Sequence, residues 1–140
     1  MEEEELLQYL CKTADMGCEG IVSVLDYVES DKLKALLTDQ LREYQEIRRE
    51  AVKLLADRGL EPEGAGVMAK MSAEVMSAGK LLLDRSTSKI AEMTIQGTAM
   101  GVSKTIKHLN DFTGEGPVKE LTRRLLTLEE AAVERLKAFL

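Results

Sequence analysis

An all-α bundle of four long helices and one shorter helix is predicted by three features of the sequence. Apolar residues recur at helical spacing in five separate stretches, and both prolines stand near helix starts, so no helix interior is broken. The third feature is residues 88–110, SKIAEMTIQGTAMGVSKTIKHLN, which are apolar on two sides. On a wheel turned by about 100° per residue, Ile90, Met93, Gly97, Met100 and Gly101 form one side. Ile95, Ala99, Val102, Ile106 and Leu109 form the other, and only Lys89, Glu92, Gln96, Ser103, Lys107 and Asn110 are consistently polar. Such a helix needs neighbours on both sides, so it is expected at the centre of the bundle. Gly97 and Gly101 are expected where a second helix comes close, because glycine costs roughly 1 kcal/mol relative to alanine in a helix interior.

The first helix is expected over residues 3–29, with a buried stripe of Leu7, Leu10, Ala14, Gly17, Ile21, Leu25 and Val28. Acids in its first turn suit the positive end of the helix dipole. Cys11 and Cys18 lie at the edge of the stripe, two turns or about 10.5 Å apart, too far for a disulfide within one helix. They read as small core-edge hydrophobes. Ser30 and Asp31 cap a second helix that runs to about residue 58 and buries Leu33, Leu36, Leu37, Gln40, Tyr44, Ile47, Ala51, Leu54 and Leu55. The short connection makes the first two helices an antiparallel hairpin, and Gly59-Leu60 is a Schellman stop.

Residues 61–66, EPEGAG, read as a joint. A shorter, less regular helix is expected over 67–83, and its Met68, Met71 and Met76 form a candidate interaction face, since methionine surfaces adapt to a partner's shape. Residues 84–88, DRSTS, cap the central helix, and 111–117, DFTGEGP, break the chain again. Pro117 suits the first turn of a last helix over 118–140, which buries Val118, Leu121, Leu125, Leu128, Ala132, Leu136 and Phe139, with Glu129 at the edge.

Composition narrows the function. The 140 residues make one domain, 1–140, and the net charge of −6 argues against a nucleic-acid binder. With three Tyr, two Phe and no Trp there is no stacking platform for bases. No apolar run approaches the roughly 20 residues that cross a bilayer. The acidic start MEEEELL is unlike a signal peptide, so a cytoplasmic protein with reduced thiols is expected.

No catalytic motif is found: there is no G-x-S-x-G, P-loop, G-x-G-x-x-G or Cys-x-x-Cys. A carboxylate-bridged di-metal site needs two Glu-x-x-His pairs, yet the one histidine, His108, follows Thr105 at that spacing. No metal and no cofactor are therefore expected. Gln40 interrupts an apolar stripe and is expected to be buried and hydrogen-bonded to a neighbouring helix. Lys104 and His108 share a side of the central helix and read first as cations favoured at a helix C-terminus, with side chains reaching out to water; the sharper hypothesis is a polar pocket within the bundle with Gln40 and Glu129. Glu92 and Gln96 read as solvated.

Residues 90–101, IAEMTIQGTAMG, with Lys104 and the His108-Leu109-Asn110 end, resemble a family of small uncharacterised bacterial proteins with a ferritin-like helical bundle. Residues 14–21, ADMGCEGI, and Gln40-x-x-Glu43-Tyr44-x-x-Ile47 echo it more weakly. The resemblance implies a ferritin-like four-helix bundle and a cytoplasmic bacterial origin, with no established activity. The family's matching patch would be Glu92, Gln96 and Lys104. Relatives often carry a histidine before the Ile-Ala-Glu-Met run, where this chain has Lys89. The expectation is a non-enzymatic protein acting by protein interaction, including homo-oligomer formation. The alternative is a degenerate ferritin-like protein holding a metal or small ligand among Glu19, Gln40, Glu43, Glu92 and His108.

Overall fold

The computed structural model describes residues 1–63 and 83–140. Within them lie four helices and no strand: α1 (Glu3–Leu25), α2 (Asp31–Ala56), α3 (Thr87–Asp111) and α4 (Pro117–Leu136), with a closing 3-10 turn at Lys137–Phe139. The expected helix over 67–83, with Met68, Met71 and Met76, falls outside the described residues except for its last position. Among the described residues, no helix is long and apolar enough to cross a membrane.

Local chemistry sets most of the boundaries. Ser30 Oγ accepts from the Leu33 amide at 3.2 Å, and Ser86 Oγ accepts from the Lys89 amide at 3.2 Å; each satisfies one of the amides that a helix start leaves without a partner. After α2, Gly59 turns to φ +70°, and the Leu60 and Gly59 amides donate back to Leu55 and Ala56 at 2.9 Å each. That pair of bonds is the Schellman motif, with Leu60 returning to the core. Gly116, at φ +104°, leads into Pro117 at the first turn of α4. The first helix stops at Leu25 rather than 29, and Tyr27 and Val28 turn the chain by donating to Val24 and Leu25.

The α1–α2 and α3–α4 connections are both short, so each pair is an antiparallel hairpin. The hairpins pack with α1 antiparallel to α3. At one end the amino terminus meets Asp111, Tyr9 meets Thr105 further in, and Arg85 covers the Tyr27 ring at 3.9 Å at the other end. Consequently α2 and α3 run parallel, and α2 ends at the opposite end of the bundle from where α3 begins. Ion pairs fasten the outside: Arg48 to Asp15, Arg58 to Glu3, and Arg124 to both Glu46 and Glu50. Exposed pairs of this kind contribute little each. The leucines inside contribute far more, at about 1.5–3 kcal/mol for each fully buried side chain, and Leu6, Leu10, Leu33, Leu37, Leu55, Leu125 and Leu136 have no exposure at all.

The helix expected at the centre behaves differently from its wheel. Ile90, Ala91, Thr98 and Thr105 are the buried residues of α3. Met100 is 62% exposed, Ile106 is 40% exposed, and a Cβ at Gly97 would meet nothing within 4 Å among the described residues. The inward line is therefore the small, partly polar series Ala91, Thr98 and Thr105 at seven-residue spacing. The wheel ranked side chains by hydrophobicity, whereas the space facing α3 is already occupied by large polar side chains from the other three helices. Of the two glycines expected at a close approach, only Gly101 is at one.

Candidate functional site

Inside the bundle lies a cluster of polar side chains contributed by all four helices. Glu129, on α4, is 1% exposed. Its Oε1 accepts a hydrogen bond from Thr105 Oγ1 on α3 at 3.0 Å. Thr105 Oγ1 is in turn 2.8 Å from the Tyr9 hydroxyl on α1. Since the one threonine proton goes to Glu129, the phenol is the donor to Thr105. The Tyr9 ring packs against His108, one turn beyond Thr105, with centroids 4.1 Å apart and planes tilted by 60°. Tyr44, on α2, is buried on the other side, with hydrogen bonding to Gln40 and Thr98 and with Glu129 close enough to act on it electrostatically.

Two glycines make room for this cluster. A Cβ at Gly101 would overlap the Glu129 carboxylate, and one at Gly17 on α1 would stand 2.5 Å from the Tyr44 ring. Bringing a carboxylate and two phenols into one small bundle therefore depends on two positions where the facing helix has no side chain.

Burial dominates the electrostatics. It pushes the Glu129 carboxyl up to about 7, with the Thr105 hydrogen bond pulling weakly the other way. Burial raises the Tyr9 and Tyr44 phenols, and the nearby Glu129 charge adds to both. Burial lowers His108. It also pushes Cys11 and Cys18 up to about 11, so these free thiols stay protonated and unreactive at neutral pH.

Of the sequence-predicted residues, Gln40 and Glu129 are both buried. His108 reaches the cluster only through the Tyr9 ring. Lys104 is exposed, as expected of a cation reaching for water, and does not join the pocket of the sharper hypothesis, since it stands about 100° round α3 from Thr105. Glu92 and Gln96 are exposed on the same helix, Glu92 paired with Lys89 at 3.6 Å. Gln40 is buried as expected, but its bonding is to Tyr44 on its own helix and its Oε1 has no partner. A recess of about 30 Å³ between α2 and α4 borders it, enough for a water or two rather than a metabolite. Gln40→Leu, which keeps the volume and removes an orphan acceptor worth about 1–3 kcal/mol, is expected to cost under about 1 kcal/mol. Gln40→Ala leaves a cavity and should cost about 2 kcal/mol. Urea melts compare the two, and a leucine variant weaker than the alanine variant would refute this account.

Tyr9, Thr98 and Thr105 were missed by the sequence reading. Their signal was the run of small polar residues Thr94, Thr98, Gly101 and Thr105, at spacings of four, three and four on one helix face.

The cluster does not fit a di-metal centre, which needs several carboxylates with histidines, since Glu129 is its one carboxylate among the described residues. Among the described residues, no three His, Cys, Asp or Glu side chains come together as a metal site. Glu19, Glu43 and Glu92 are thus not gathered around Gln40 and His108.

No family model matches the chain. A search of curated proteins gave no match either. A search of solved structures matches the crystal structure of a DUF305 fragment from Deinococcus radiodurans, at a TM-score of 0.76 and 16% identity, covering 97% of this chain and 93% of that one. At that identity the likeness is one of fold: both are small helical bundles.

Proposed function

We propose that this chain is a non-enzymatic, cytoplasmic bacterial protein of the ferritin-like type that works by association, beginning with a second copy of itself. The fold supports the type: two antiparallel hairpins, with α2 and α3 parallel, match the ferritin-like arrangement with its single long crossover. One observation carries the association. Ile95, Ala99, Val102, Ile106 and Leu109 follow each other at spacings of four, three, four and three, the seam pattern of packed helices. Ala99 and Ile106 on that seam are exposed, while the other three are half-buried. A seam of this kind gains by covering itself with another helix.

The test is mass in solution by light scattering, with far-UV circular dichroism as the check on folding. Wild type should exceed the monomer mass, and Ala99→Glu with Ile106→Glu should return it to the monomer at unchanged helicity. A wild-type chain that stays monomeric at every concentration removes the proposal. The alternative, a bundle holding a metal or small ligand, is favoured by the unpartnered Gln40 Oε1 alone. Stoichiometric metal in protein purified without added chelator would turn the argument to that reading.

A further inference from the structure

We propose that Glu129 is a proton-operated latch between α4 and α3: as the neutral acid it closes on Gly101 and Thr105, and as the carboxylate it forces the two helices apart.

The argument rests on what surrounds the carboxyl. From α3 it meets the Thr105 hydroxyl and the bare backbone of Gly101, and from α2 the neutral Tyr44 phenol lies within electrostatic reach. From α1 it meets Tyr9, through Thr105. Among the described residues, two further titratable groups stand one step away: His108 beyond the Tyr9 ring and Cys18 within electrostatic reach of Tyr44. Among the described residues no cation is paired with Glu129, and Lys104 and Lys107 on α3 are exposed. The acid form is therefore compatible with this setting, and an ionised form is left, among the described residues, with one hydroxyl and no counter-charge. Gln40 Oε1 is a further buried acceptor without a partner among the described residues.

An unpaired buried carboxylate recovers solvation only by reaching water. Its side chain leaves α4 towards Gly101, so the shortest relief is separation of α3 from α4 around residues 101–105 and 125–132. Meanwhile α1 and α2 are held together by their own leucines and by Arg48–Asp15 on the outside. The consequence is a local opening of one hairpin rather than loss of the whole bundle, of the kind that partial-unfolding units show.

Amide hydrogen exchange, corrected for the intrinsic pH dependence of exchange, tests the latch. From pH 5 to pH 7 the opening constant of amides in 98–106 and 125–132 should rise by about tenfold per pH unit, while amides in 33–51 stay protected. In Glu129→Gln the same amides should show no such rise. Equal loss of protection in 33–51 would mean global unfolding and would overturn the proposal, as would a rise that persists in Glu129→Gln. Should that variant fail to fold, Thr105→Val serves, since removing the bond that steadies the carboxylate must move the transition to higher pH. The carbonyl stretch of a protonated carboxylic acid in infrared difference spectra gives a direct readout, and its loss as pH is raised, half complete near 7, is required.

Discussion

Gly17→Ala is expected to destabilise the bundle by about 2 kcal/mol, while Gly97→Ala is expected to leave it unchanged or stabilise it by up to about 1 kcal/mol. Alanine is the better helix former at both positions, so the sign of the difference reports what the added Cβ meets. At position 17 it would stand 2.5, 2.6 and 2.8 Å from Cε2, Cζ and Cδ2 of Tyr44. An aromatic ring cannot fold out of the way as a long side chain can. This one is buried and bonded at its hydroxyl end, so the helices must separate or the ring must leave the cluster. At position 97 nothing among the described residues lies within 4 Å, and only the gain in helix propensity remains. Gly101 falls between the two, because the obstructing group is the end of the Glu129 side chain. The carboxylate can swing aside if it gives up Thr105, so Gly101→Ala should cost about 1 kcal/mol, near the net worth of a hydrogen bond. Urea melts of the three variants order these effects. Equal results at positions 17 and 97 would show that α1 and α2 do not approach as closely as described.

The contrast among these glycines shows what was legible in the sequence. Most helix ends were legible because they rest on nearest-neighbour chemistry: Ser30 before its helix, Gly59 and Leu60 after it, Pro117 in a first turn, though the first helix ends four residues short of its expected limit. Gln40 and Glu129 also stood out, since a polar residue inside or beside an apolar stripe is conspicuous without any knowledge of its neighbours. The inward face of α3 was not legible. A helix wheel assumes that the most apolar side is the most buried, and that assumption fails where the facing helices present a tyrosine, a second tyrosine and a glutamate. Against such partners the position needs small volume and a hydroxyl, which is why Thr98 and Thr105 are buried while Met100 is exposed. Gly97 and Gly101 look alike in sequence, and only the position of α4 tells them apart. Lys104 carries two readings in the sequence, a cation reaching for water and a member of a buried pocket, and its exposure agrees with the first.

The stability of the wild-type protein is expected to fall by about 3 kcal/mol between pH 4.5 and pH 7 on account of Glu129, and that of Glu129→Gln to lack this fall. An unfolded chain releases the Glu129 proton near the ordinary 4.5, whereas burial holds it in the folded chain up to about 7. Between those two values the folded state binds a proton that the unfolded state has lost, so stability must decrease as pH rises. Below 4.5 both states are protonated and above 7 both are ionised, so the contribution is level on either side. Each pH unit across the gap amounts to about 1.4 kcal/mol, which gives the figure of about 3 kcal/mol, a large part of the 5–15 kcal/mol typical of a domain. His108 acts in the opposite sense. Burial lowers it from 6.5, so the folded state binds that proton less well, and stability rises with pH as the unfolded imidazole deprotonates. Because Glu129→Gln retains His108, the difference between the two proteins isolates the carboxyl. The glutamine also keeps an oxygen to accept from Thr105, so the comparison changes a proton site and little else. Urea midpoints at pH 5, 6, 7 and 8 provide the measurement: the two curves should diverge up to pH 7 with the variant the more stable, then run parallel. Parallel curves throughout would mean that the Glu129 carboxyl reaches water in the native protein, and neither the buried acid nor the latch built on it would stand.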